Sequence, residues 1–439
     1  MGRQKIDYGI DLGTTNSAIA RIENGEIVII KSNDGQMDTT PSVVHFNRAR
    51  SMFVGLKAFN QIEADSKRTL KEFHNKKIIE GSNTFYEFKR TMGTDKKYFS
   101  SNMGLEYSSE ALSAEVLKKL KSYVLDEDIN STIITVPAKF RQNQLDATQK
   151  AAELAGFSYC ELLQEPIAAS IAYGLDAKNM EGYWLVFDFG GGTFDAALMK
   201  VNEGIMKVVD TEGDNHLGGK NIDFAIVDNL FIPKLKEDFN INDILNDEVG
   251  KILLRDSLKK YAEETKIDLS IKNMSSVYAD DLGNDVNDND IILNLTISID
   301  QYELVVKPIF QRSIDISKRL LDRNNVNGSL LKTILLIGGP TFSQTLRSML
   351  KEQICSNIET SIDPMTAVAK GAALFGATRD IPASNKSHDK TKIQLTLRYP
   401  ETTVETEENV GIKINTTSPT VYIPKRIFIE LIRNDLAWT

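Results

Sequence analysis

The chain repeats itself, and that repeat constrains its fold more than any other feature. Residues 8–30, YGIDLGTTNSAIARIENGEIVII, correspond to 185–209, LVFDFGGGTFDAALMKVNEGIMKVV. Asp11 matches Asp188, and Gly13 opens a match to Gly190, Gly191 and Gly192. With a two-residue insertion placed in the glycine run, the register continues at 193 − 14 = 179: Thr14 falls on Thr193, Asn16 on Asp195 and Gly25 on Gly204. Each copy reads as an apolar strand, an Asp, a Gly-Thr turn, a second strand, a turn at Gly and a third strand.

Two further pairs follow in the same order. NSTIITVPAKFRQNQ (130–144) resembles LKTILLIGGPTFSQ (331–344), each a buried strand, a Pro or Gly-Gly turn and a helix start. The small-residue helix EPIAASIAYGL (165–175) echoes DPMTAVAKGAALFGA (363–377). Matching elements in one order predict a duplicated α/β fold of two facing lobes. Lobe I is expected over about 1–178 plus 363–380, and lobe II over about 179–362. Residues 381–392 read as a polar linker. The alternating, proline-broken stretch 393–439 reads as a short β-rich segment, the start of a further domain cut inside its fold.

Composition excludes several functions. The net charge of −9 argues against non-specific nucleic-acid binding, which needs clustered cations. Two cysteines, Cys160 and Cys355, give no disulfide framework or zinc spacing, and suit a reducing, cytoplasmic setting. No signal-peptide core opens the chain, and no apolar run approaches the ~18–20 residues that span a bilayer. DDLGNDVNDND (280–290) lacks the glycine and terminal glutamate of a calcium loop and reads as a solvated hairpin tip.

The Asp-x-Gly turns suggest chemistry. Successive backbone N–H groups and the hydroxyls of Thr14, Thr15 and Thr193 donate to an anion, and glycine lets the backbone approach it. Asp11 and Asp188 would repel a bare phosphate, so they imply an intervening hard cation such as Mg²⁺. One such loop alone also serves as a plain hairpin turn. Two at repeat-related positions, with Gly338-Gly339 after a third buried strand, point to a polyphosphate held from both sides. No GxxxxGK[ST] occurs, and the triple glycine fails GxGxxG at Asp195.

DLGTTNS, TVPAKF, QEPIAASIAYGL, DFGGGTFD, GDNHLGGKNID and LLIGGPT, in this order over residues 5–378, resemble the 70-kDa heat-shock chaperones of the DnaK type. The resemblance implies an actin-like ATPase fold and a slow ATPase that binds ATP or ADP with Mg²⁺, with K⁺ as a candidate second ion. It implies that Asp11, Asp188 and Asp195 arrange the metal, and that Lys89, Asp188, Glu165 and Thr193 serve hydrolysis. Gly13, Thr14, Thr15, Asn16, Gly190, Gly191, Gly192, Gly218, Gly219, Gly338 and Gly339 would line the nucleotide. Glu263 and Lys266 would hold the ribose, and Phe342, where the family has arginine, would stack on the base. Without the resemblance, Lys89 reads as an exposed helix lysine and Glu263–Lys266 as a surface ion pair.

Expected partners are client polypeptides, a J-domain co-chaperone and a nucleotide-exchange factor, with no nucleic acid or membrane and a monomeric chain. The alternative is a nucleotide-binding co-chaperone or regulator with little hydrolysis. Lys139 and Leu145, where the family has Tyr and Arg, together with Phe342 and the polar linker favour that alternative, and Lys89, Glu165 and Asp188 argue against it.

Overall fold

A computed structural model of the protein describes residues 4–75, 82–174, 181–202, 205–382, 394–398 and 411–415. The chain divides into two compact units, Lys5–Ile381 and Pro382–Thr439 with the first four residues. In the smaller unit, Gln394–Arg398 pairs antiparallel with Gly411–Asn415. The expected polar linker lies outside the described residues apart from Ile381 and Pro382, and Ile381 packs half-buried against the larger unit's core.

The larger unit carries two sheets of one five-stranded design, to which the short strand Thr40–Pro41 adds a sixth in lobe I. In lobe I, β1 (Tyr8–Asp11), β2 (Asn16–Glu23), β3 (Glu26–Ile29), β4 (Ser131–Val136) and β5 (Tyr159–Gln164) lie in the order β5-β4-β1-β2-β3. In lobe II, β6 (Gly182–Phe189), β7 (Phe194–Asn202), β8 (Ile205–Asp214), β9 (Leu331–Ile337) and β10 (Ile358–Glu359) lie in the order β10-β9-β6-β7-β8. In both, the three hairpin-linked strands are antiparallel and the two later ones parallel. Asn24 and Gly25 (φ 53° and 86°) form the two-residue turn between β2 and β3, the left-handed pair that an Asn-Gly hairpin needs.

The hairpin register corrects one expectation. Asp11 pairs with Ala18 and Asp188 with Asp195, so in both hairpins the paired residues are seven positions apart and no insertion is needed in the glycine loop. The two extra residues lie instead farther along β7, which continues from the paired Asp195 to Asn202, eight residues, where β2 continues from the paired Ala18 only to Glu23, six residues. Structurally, Gly13-Thr14-Thr15 therefore match Gly190-Gly191-Gly192, and Thr193 matches Asn16. Matching by identity aligned threonine with threonine, whereas the ladder sets hairpin length.

Two small-residue helices join the lobes. α2 (Glu165–Gly174) and α5 (Ala367–Ala377) pack face to face, so closely that a Cβ at Gly371 would lie 1.7 Å from the Ala168 carbonyl oxygen. α5 also lies on β1, where a Cβ at Gly9 would come within 2.2 Å of the Ala373 nitrogen. Around them, Ile133 and Leu163 of lobe I and Val186 and Leu335 of lobe II share one apolar cluster. The loop between Met274–Ala279 and Leu293–Ser298 is a hairpin, as expected, but its tip is not simply solvated. Asp285 is 7% exposed and accepts backbone N–H bonds from Asn240, Asn287 and Asn289.

Candidate nucleotide cleft

The two aspartate loops meet at the bottom of a cleft between the lobes. Asp11 ends β1 and Asp188 lies one residue before the end of β6, so repeat-related ladders carry both to the same place. The loops touch: a Cβ at Gly191 would lie 2.0 Å from Thr15 Oγ1. The Thr15 hydroxyl on one loop thus requires glycine at position 191 on the other, whereas a Cβ at Gly192 would meet nothing closer than 3.8 Å. Ser42 braces the first loop, its hydroxyl donating to the Gly13 carbonyl at 2.8 Å. In the second, Gly190 N–H donates to Thr193 O at 3.0 Å.

A cavity of about 100 Å³ lies here, walled by Asp11, Gly13, Thr14, Thr15, Asn16, Lys89, Glu165, Asp188, Gly190, Gly191, Thr193, Gly338 and Gly339, with Pro137 and Met365. Gly338 (φ 87°) turns the chain against Phe189, where a Cβ would sit 2.2 Å from the carbonyl oxygen. Gly192, Gly218 and Asp195 are not on this wall. Gly192 and Gly218 instead pack backbone to backbone, a Cβ at Gly218 falling 2.5 Å from Gly192 Cα.

Lys89 is buried, not an exposed helix lysine. It sits in a 3₁₀ turn, Phe88–Thr91, with Nζ 2.7 Å from Glu165 Oε1 and 5.7 Å from the centre of the Phe140 ring of TVPAKF. Burial opposes its charge, but Glu165, Asp11 and Asp188 outweigh it and raise its pKa. The acids bear the opposite strain. Burial, then Glu165, pushes Asp11 up to about 6, although Thr135 Oγ1 donates to it at 3.0 Å. Burial, then Glu165, Asp195 and Asp11, raises Asp188 well above the usual carboxylate range. Burial and Glu165 likewise push Asp195 up to about 6, with Lys139 acting in the other direction.

Four carboxylates thus face few cations, an excess that a bound cation relieves. Among the described residues no three His, Cys, Asp or Glu side chains converge as a direct ligand set. The site therefore suits a hydrated Mg²⁺ that takes other oxygens from phosphate.

The excess has a measurable consequence. A carboxyl whose folded pKa is raised contributes stability that is present below its unfolded value of 3.8 and lost as pH rises through about 6. The ligand-free Asp195→Asn protein should therefore be about 3 kcal/mol more stable than the parent at pH 7, with the advantage gone below pH ~4. Urea unfolding of both proteins across that range checks it, and parallel curves would remove the buried charge from the account.

A second cavity of about 310 Å³ continues the cleft and shares Thr14, Thr15, Asn16, Gly191, Gly339 and Met365 with the first. Glu263, Lys266 and Gly219 line it, together with Phe342, 38% exposed, and Pro340. Lys266 pairs not with Glu263 but with Asp223, Nζ to Oδ1 2.6 Å, a partner that sequence reasoning missed. The available signal was an acid four residues into the helix after Gly218-Gly219. Arg347 lies behind the Phe342 ring, 5.8 Å from its centre. Across the cleft, Glu63 of α1 (Leu56–His74) accepts from Lys260 Nζ at 2.7 Å and Tyr261 OH at 2.6 Å, both on α4 (Glu248–Asp268), which carries Glu263 and Lys266.

A duplicated two-lobed α/β unit with glycine loops, buried acids and a base-sized chamber in one cleft defines an actin-like ATPase fold. A family model described as Hsp70 protein matches residues 7–425, extending past residue 378, where the motif resemblance stops. Chaperone protein dnaK of Cyanidium caldarium is 34% identical over 380 residues, covering 84% of this chain and 60% of that protein. Chaperone protein DnaK of Mycoplasmopsis agalactiae is 33% identical over 377 residues (85% and 59%). That of Picrophilus torridus is 34% identical over 380 residues (84% and 57%). The chain belongs to the Hsp70 family, whose members bind ATP or ADP with Mg²⁺. It spans about 60% of the length of these relatives.

Proposed function

We propose that the chain binds and slowly hydrolyses Mg-ATP and that the nucleotide state controls the binding of client polypeptides, as a molecular chaperone. One observation carries this reading: the buried Lys89–Glu165 pair and the opposed Asp11 and Asp188 share one cavity with both glycine loops. The names of the relatives support the chaperone role. An ammonium held at that depth is placed to orient a terminal phosphate and its attacking water, which favours hydrolysis over binding alone.

In this reading the loop amides and the hydroxyls of Thr14, Thr15 and Thr193 hold the phosphates. Asp11, Asp188 and Asp195 hold the waters of Mg²⁺, which when bound neutralises the triphosphate charge; K⁺ is the candidate second ion. Glu165 fixes Lys89, whose Nζ orients the terminal phosphate and its attacking water. Lys266, steadied by Asp223, and Glu263 take the ribose, and Phe342 stacks on the base. A J-domain protein and an exchange factor are the proposed partners of a monomeric, cytoplasmic chain. The buried free thiols of Cys160 and Cys355 suit that compartment.

Thermal unfolding of the full chain tests nucleotide binding. Mg-ATP at about a hundred times its Kd should add ~2.7 kcal/mol, seen as a raised Tm. An unchanged Tm at millimolar Mg-ATP would overturn the reading. Stimulation of turnover by a J-domain protein separates a chaperone engine from a passive binder.

A further inference from the structure

The short turn that carries Lys89 is held from both lobes at once. Lys89 itself is tied within lobe I, to Glu165. Its neighbours on either side are tied to lobe II. Glu87 Oε2 accepts from Lys220 Nζ at 2.6 Å, and Lys220 is the second residue of α3 (Gly219–Ile226). Arg90 reaches the Asn215 carbonyl oxygen and lies 3.1 Å from His216 Nδ1. Glu87 and Arg90 also pair with each other at 3.0 Å, so the two tethers form one cluster. That cluster lies against the second glycine loop: a Cβ at Gly192 would meet Arg90 NH1 at 3.8 Å and Glu87 Cδ at 3.9 Å.

Lys220 is fixed to the same loop by its backbone, N–H donating to Gly191 O at 2.8 Å. Glu87 holds a left-handed conformation (φ 56°) that is uncommon for a non-glycine residue and costs energy. Burial works against its charge, but Lys220 and Arg90 keep its carboxyl below the usual carboxylate range, so the tether is ionic.

We propose that Glu87 is a positioning residue that makes the placement of Lys89 conditional on lobe closure. Opening the lobes separates Glu87 from Lys220 and Arg90 from residues 215–216. The left-handed turn then loses what holds it, and Lys89 loses its aim while keeping its charge and its Glu165 partner. Closure of the cleft over a nucleotide and readiness for hydrolysis thus become one event. Glu87 touches no reacting atom and acts through Lys89, so the inference rests on the role given to Lys89 above.

The test measures single-turnover Mg-ATP hydrolysis and equilibrium nucleotide affinity on the full chain. Glu87→Gln and Lys220→Met should each slow hydrolysis about tenfold, equal to ~1.4 kcal/mol, and lower affinity by clearly less than that, although both side chains line the larger chamber. The double variant should be no slower than either single one, because both remove the same tether. In a Lys89→Ala background, Glu87→Gln should change the rate less than about twofold. A further full loss in that background, an unchanged rate in the single variants, or a loss of affinity matching the loss of rate would each overturn the proposal. Should Glu87→Gln not fold, Lys220→Met carries the same comparison from the other lobe. If Lys89→Ala itself hydrolyses at the parent rate, the assignment of Lys89 fails. If Lys89→Ala is slow and Glu87→Gln is not, only the tether fails.

Discussion

Replacing Lys89 with alanine should leave Mg-ATP bound and its hydrolysis slowed at least tenfold, a loss of more than ~1.4 kcal/mol of transition-state stabilisation. The reason is placement. Nζ lies in the wall of the small cavity, held by Glu165 at 2.7 Å and by the Phe140 ring, on the same wall as both glycine loops. Removing the ammonium also strands Glu165 among Asp11, Asp188 and Asp195, so the variant should lose ~3–5 kcal/mol of stability as a broken buried pair. Lys89→Ala/Glu165→Gln should recover much of that stability and none of the rate. Equal turnover in the variant and the parent, with folding verified, would remove Lys89 from the mechanism.

Gly371→Ala should be among the most damaging single changes to the fold. In an ordinary helix interior, alanine for glycine gains roughly 0.5–1 kcal/mol. Here the added Cβ falls 1.7 Å from the Ala168 carbonyl oxygen, and a backbone atom cannot rotate away. The helices must separate along the seam between the lobes, and the expected cost is about 3 kcal/mol or more. Gly25→Ala is the control: nothing lies within 4 Å of its Cβ, so it bears only the strain of φ 86°, about 1–2 kcal/mol. A urea midpoint for Gly371→Ala at or above that of the parent would mean the two helices do not touch as described.

Much of this architecture was legible because it is local and repeated. Asp11 and Asp188 are found from strand, acid and glycine in sequence, and each is delivered by its own β-strand end. The small residues of EPIAASIAYGL and DPMTAVAKGAALFGA announce close helix packing, which their contact at Gly371 explains. The burial of Lys89 was not legible from its own segment, because it depends on a glutamate 76 positions away. Asp223 escaped notice for the same kind of reason, its lysine being 43 positions distant on another helix.

The amino-acid order alone determined the duplication, the two aspartate turns and the chemistry they suggest, since strand alternation, turn residues and glycine runs act over a few neighbouring positions. Tertiary structure decided the contact of Thr15 with Gly191, the pairing of Lys266 with Asp223, and the double anchoring of the Lys89 turn. Each of these joins groups far apart in the chain. Which distant partner a charge or a backbone meets is set by how the lobes pack, and no local pattern records that.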